Sequence, residues 1–199
     1  MFQTAKGIQV PFPEKIMQTY KVCDNCLQFT LNFEKIEPML NDFIARIEEP
    51  MFIALHVPLH EDEEKKMRAK AEDPFHESVC YLDGLNKSTV RSILRKYGKL
   101  ILHSGMSPFA IASHNTGDEF FLQKYQVVTI YSKQPMKWTD LLERYDICRA
   151  DQLFTAWQTF DKDHPGKCSV VTIHGHDIYD VHKELEKLGM YEAKVVEAE

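Results

Sequence analysis

The sequence predicts an α+β fold, a largely antiparallel sheet with helices packed on one face. Three observations carry that expectation. Amphipathic helical stripes alternate with β-branched and aromatic runs, single Gly, Pro and Asn residues mark the junctions, and the second half sets two strand runs and two helices side by side.

Five segments show helical spacing. In the first, Phe33, Ile36, Leu40, Phe43, Ile44 and Ile47 share a stripe, and Pro38 is expected in the first turn of the regular helix. The second carries Val90, Ile93, Leu94 and Tyr97, with Ser88 as its cap and Gly98 as its stop. Trp138, Leu141, Leu142 and Tyr145 form the third, just after Pro135. The fourth is expected after Asp151, burying Leu153, Phe154, Trp157 and Phe160. The fifth starts at Asp177, stripes Ile178, Val181, Leu185 and Leu188, and stops at Gly189.

Strand runs fall at about 20–33, 51–59, 78–82, 99–103, 109–113, 126–132, 168–174 and 191–196. The first is long enough for a hairpin turning at Asp24-Asn25. Both halves close on a helix, a glycine and a returning strand, LRKYGKLIL and LEKLGMYEAKV. Two split-βαβ, ferredoxin-like halves, 1–105 and 106–199, are therefore one expected organisation, and a single domain 1–199 is the other. The first half carries an acidic helical insertion over 60–76. There Glu61–Lys65, Asp62–Lys66 and Glu64–Arg68 stand four apart in the favourable order.

Composition narrows the functional classes. Hydrophobic residues at 44% and charged residues at 27% place the chain among ordinary globular proteins. A net charge of −6 disfavours phosphate-backbone binding, so nucleic acid is not the expected partner. The N-terminus lacks the apolar run of a signal peptide, and no stretch has the length of a membrane span. The five scattered cysteines read as reduced thiols, so a cytoplasmic protein is expected.

Four groups of residues suggest chemistry. In VVTIHGHDIYDVH, His174, His176, Asp177 and His182 gather at a strand-to-helix junction and would suit zinc. The spacing resembles the His-x-His-x-Asp-His motif of metallo-β-lactamase-type hydrolases. It departs from that motif because Asp177 directly follows His176 and no histidine follows the aspartate. The Gly-His-Asp element also resembles the terminal motif of calcineurin-like phosphoesterases, whose upstream motifs are missing here. The structural alternative makes Asp177 a helix N-cap and the histidines loop residues. Cys23 and Cys26 form half a zinc knuckle and are expected as structural thiols. His114 and Asp118, in a loop between strands, would make a general acid/base pair or ordinary turn chemistry. Glu61, Asp62, Glu63 and Glu64 would form an acidic docking arm or a solvated helix.

The leading expectation is a non-catalytic protein-interaction module of a bacterial cytoplasm, similar in type to immunity proteins and antitoxins, with another protein as partner and no cofactor. The alternative is a metal-dependent hydrolase using zinc at His174, His176, Asp177 and His182. A small-molecule-binding sensor is the third.

Overall fold

The computed structural model describes residues 1–70 and 72–198, so residue 71 of the expected acidic segment and residue 199 lie outside it. Among the described residues there are eleven strands: β1 (Ile8–Gln9), β2 (Thr19–Cys23), β3 (Cys26–Thr30), β4 (Met51–Pro58), β5 (His76–Leu85), β6 (Phe109–Ser113), β7 (Glu119–Leu122), β8 (Val127–Tyr131), β9 (Cys148–Arg149), β10 (Lys167–Cys168) and β11 (Tyr191–Glu197). The helices are α1 (Phe33–Arg46), α2 (Glu61–Met67), α3 (Lys87–His103), α4 (Thr139–Arg144) and α5 (Ile178–Glu186).

Nine strands form one sheet in the order β11-β5-β4-β6-β7-β8-β3-β2-β9, and β1 pairs with β10 in a separate ribbon. Every pair in the large sheet is antiparallel except β2 with β9. The fold is thus mixed α and β with a sheet dominated by antiparallel pairing. Pairings of β4 with β6, β3 with β8 and β5 with β11 all cross residue 105.

Strand alternation sorts the side chains onto two faces. Leu27, Phe29, Ile53, Leu55, Phe109, Ile111, Phe120, Val128 and Ile130 join one core with Phe43 of α1, Val90 of α3, Leu141 of α4 and Val181 of α5. The opposite parity, including Gln28, Phe52, Ala54, His56, Ala110, Phe121 and Thr129, forms what is here called the outer face.

Where helices and caps differ from expectation, burial explains it. α1 begins at Phe33 and runs through Pro38, because Ile36 and Met39 are buried on either side of it. Asn86, and not Ser88, caps α3 by accepting from the Thr89 N–H at 2.9 Å. That helix continues past Gly98 to His103, which removes the strand expected at 99–103. Ile101 and Leu102 prolong its buried stripe, and their burial exceeds the roughly 1 kcal/mol cost of a helical glycine. After Asp151 only a short 3-10 turn forms, Ala156–Thr159. Phe154 and Trp157 remain exposed there, because the turn buries Ala156 and Thr159 in their place. The strand expected over 168–174 shrinks to the two residues of β10. Beyond it the chain turns at His174 and Gly175, both at positive φ.

A smaller core of Phe2, Ala5, Ile8, Ile16, Tyr125 and Ala156 holds the N-terminal segment against the 150s. Backbone approach is closest between Gly7 and Gly105, where an added Cβ on Gly105 would lie 2.0 Å from the Gly7 carbonyl oxygen. At Gly98 the nearest atom to an added Cβ is the Leu94 Cβ, an ordinary contact at 3.8 Å. Gly105→Ala is therefore expected to cost about 3 kcal/mol, while Gly98→Ala gains about 0.5–1 kcal/mol. Urea midpoints of the two variants should move in opposite directions, and a shared direction contradicts this account.

Candidate functional site

The histidine-rich junction assembles no metal-ligand set among the described residues. Asp177 is the N-cap of α5, accepting from the N–H groups of Tyr179 at 2.9 Å and Asp180 at 3.2 Å. His176 pairs with Asp180 at 3.4 Å, while His182 lies one turn on with its Nε2 3.3 Å from the buried Cys80 sulfur. Burial, then the nearby Glu192 and Glu186, push the Cys80 thiol up to about 11, so it stays protonated beside that imidazole. Among the described residues no group of three His, Cys, Asp or Glu side chains is placed to hold a metal.

His114 and Asp118 also separate. His114 Nε2 meets Asp83 Oδ1 at 2.9 Å, and Tyr191 donates to the other Asp83 oxygen at 2.8 Å. Asp118 is buried and accepts from Lys137 Nζ at 2.7 Å, Thr116 Oγ1 at 2.6 Å and Trp138 Nε1 at 3.3 Å. Cys23 and Cys26 face each other across the β2–β3 turn at Asp24-Asn25, as the hairpin expectation had it. Burial and then the neighbouring Cys23 push Cys26 up to about 12, so the Cys26 thiol stays protonated.

The acidic residues of α2 are used within the molecule. Glu61 and Asp62 both approach Lys65, at 2.8 and 3.8 Å, and Glu63 accepts from the His60 N–H at 3.2 Å. Glu64 is buried, taking the His76 N–H and lying 3.2 Å from that residue's Nδ1.

The arrangement that does converge lies on the outer face. Two adjoining clefts share Gln123 and Lys124. The smaller, about 260 Å³, is lined by His56, Glu77, Pro108 and Phe121. Glu77 is only 5% exposed and meets His56 Nδ1 at 2.6 Å. Its Oε2 accepts no hydrogen bond among the described residues and has the Lys124 ammonium 3.6 Å away. A carboxylate oxygen buried in that way carries a desolvation cost that calls for a role. The His56 ring packs on Phe121 with centroids 5.7 Å apart.

The larger cleft, about 620 Å³, runs between the outer face and residues 152–158, lined by Lys21, Gln28, Gln152, Trp157 and Gln158. Trp157 is 44% exposed, yet its ring is fixed edge-on by Tyr125 at 4.7 Å and Phe160 at 5.6 Å. Tyr125 and Gln126 form the tight connection from β7 to β8, both in the left-handed region at φ 57 and 58. Residue spacing gave no sign of this site, since Lys21, His56, Glu77, Gln123 and Trp157 are scattered along the chain. The strand alternation that places Gln28, Phe121 and Thr129 on one face was the available signal.

Comparison with protein families, curated proteins and solved structures finds no match to this chain. No helix among the described residues is long and apolar enough to cross a membrane.

One pH dependence follows from the loop. Burial alone would push the Asp118 carboxyl up, but bonds from Lys137, Ser132, Thr116 and Trp138 together hold it below the usual carboxylate range. A depressed folded-state value contributes stability above the ordinary value, and that stability is lost as pH falls through the depressed one. Below about pH 4 the thermal midpoint of the native chain should fall more steeply than that of Asp118→Asn. Parallel curves contradict the assignment.

Proposed function

We propose that this chain is a ligand-binding protein that takes a small polar ligand in the two adjoining clefts of its outer face. The observation supporting this is their construction: a buried Glu77–His56 pair at one end, an exposed but fixed Trp157 ring at the other, and Gln123 between them. Concave sites with a few convergent polar groups and an aromatic wall are the common form of ligand pockets. The Asp177 cap and the Cys80–His182 contact account for the histidine cluster without a metal, which weakens support for hydrolysis there.

A protein-interaction role keeps one specific support. The sheet ends at β11, an edge strand whose exposed Tyr191 packs beside Tyr81 on the outer face, with Val195 exposed on the opposite face. This edge, and not the acidic arm of α2, is where a partner strand would add.

The test of ligand binding is thermal unfolding of the intact chain against a broad metabolite library. A ligand at a hundredfold excess over its Kd stabilises by about 2.7 kcal/mol, roughly 5–10 °C for a domain of this size. Such a shift is expected in the native protein and should vanish in the Gln123→Ala, Trp157→Ala double variant. A flat screen, or a shift retained by the variant, defeats the proposal.

A further inference from the structure

Resting on that reading, we infer that the ligand is a neutral saccharide, a short chain of sugar rings lying across Trp157 and reaching toward Phe121. The larger cleft presents four carboxamides, Gln28, Gln123, Gln152 and Gln158. Each carboxamide is a donor and an acceptor at once, as is each sugar hydroxyl, so the two match without any net charge. Two of the four are already oriented. Gln158 Oε1 accepts from Thr155 N and Oγ1, both at 2.7 Å, and Gln123 Oε1 accepts from Thr129 Oγ1 at 3.0 Å. Their oxygens are thereby fixed, and the NH₂ ends are the parts left to meet a ligand.

The aromatic component agrees. A pyranose carries an apolar face of axial C–H bonds and a rim of hydroxyls, which suits a rigid indole set among amides. Trp157 is held by ring-edge contacts to Tyr125 and Phe160, so little side-chain freedom remains to be lost on stacking. The Phe121 ring lines the adjoining cleft and supplies a second platform.

Other ligand classes fit the lining less well. An anion would seek several cations, but the larger cleft offers Lys21 and Lys124, and the latter faces the Glu77 carboxylate. A cation would seek acids, and no carboxylate lines the larger cleft among the described residues. A wholly apolar ligand would strip water from the amides and return no hydrogen bonds.

The experiment is isothermal titration of the intact chain with neutral di- and trisaccharides built from glucose, galactose, mannose and N-acetylglucosamine. Glucose 6-phosphate and a capped Ser-Gly-Ser peptide serve as comparisons. At least one neutral saccharide is expected to bind saturably, tighter than both comparisons. Trp157→Ala should weaken it at least tenfold, and Trp157→Phe, which keeps an aromatic platform, should weaken it less. Peptide or phosphate binding without saccharide binding overturns the ligand class and leaves the binding role standing. Saccharide affinity unchanged in Trp157→Ala places the sugar elsewhere and overturns the inference. Silence from every probe here overturns the saccharide assignment, and a flat metabolite screen in addition would remove the binding role itself.

Discussion

Gln126 is 1% exposed, and its carboxamide makes three hydrogen bonds to main-chain groups that are far apart in sequence. Its oxygen accepts from the Ala5 N–H at 2.7 Å, and its nitrogen donates to the Leu31 carbonyl at 2.6 Å and the Gln3 carbonyl at 3.1 Å. Those bonds tie the N-terminal segment, the end of β3 and the β7–β8 turn to one side chain. Two successive non-glycine residues in the left-handed region cost on the order of 1–3 kcal/mol each. Three buried hydrogen bonds return roughly 0.5–1.5 kcal/mol apiece, and burial of Tyr125 supplies more. The strained turn survives because its surroundings fix it. Tyr125 is thereby seated against Trp157, so the geometry of the larger cleft depends on a buried amide in the turn beneath it.

The other end of the site depends on a different balance. Glu77 and His56 are placed on neighbouring strands by the pairing of β4 with β5, where the sheet meets the chain leading from α2. Burying both charges of a Glu–Lys pair is rarely a net gain in stability, while removing one partner is costly. A fold under pressure for stability alone has hydrophobic alternatives at such positions. The carboxylate, imidazole and ammonium instead stand together at the edge of the cleft, each offsetting part of the burial cost of its neighbour.

Much of the frame was legible because local rules and tertiary packing agreed. The hairpin at Asp24-Asn25, the Asp177 cap, the stripe of α3 and Ile178, Val181 and Leu185 of α5 follow from spacing and turn chemistry that the core then rewards, while Leu188, expected on the same stripe, lies past the helix and is exposed. Errors arose where packing overrode a local signal. Gly98 reads as a stop, yet Ile101 and Leu102 carry the buried stripe beyond it. Leu153, Phe154 and Trp157 read as a core stripe, yet Leu153 and Trp157 line a cleft and Phe154 is exposed. The clefts are less legible still, because their chemistry-bearing residues stand far apart in sequence. His174, His176, Asp177 and His182 are neighbours that assemble no metal-ligand set among the described residues, whereas His56 and Glu77 are distant residues that a strand register brings to 2.6 Å.

One row of the sheet shows how the register divides the outer face. Lys21, Gln28, Thr129, Phe121, Ala110, Ala54, Tyr81 and Tyr191 stand opposite one another in turn across eight strands. The first three are polar, and Lys21 and Gln28 line the cleft where residues 152–158 fold alongside, while the buried Thr129 bonds Gln123. The two alanines in the middle are buried despite their small size, so larger neighbours close over them. The last two are aromatic and end at the exposed edge of β11. A polar sheet face would be expected if water alone were its neighbour. The departure from that pattern, amide-rich at one end and aromatic at the other, sets the amide-lined cleft and the exposed strand edge at separate places on one continuous surface.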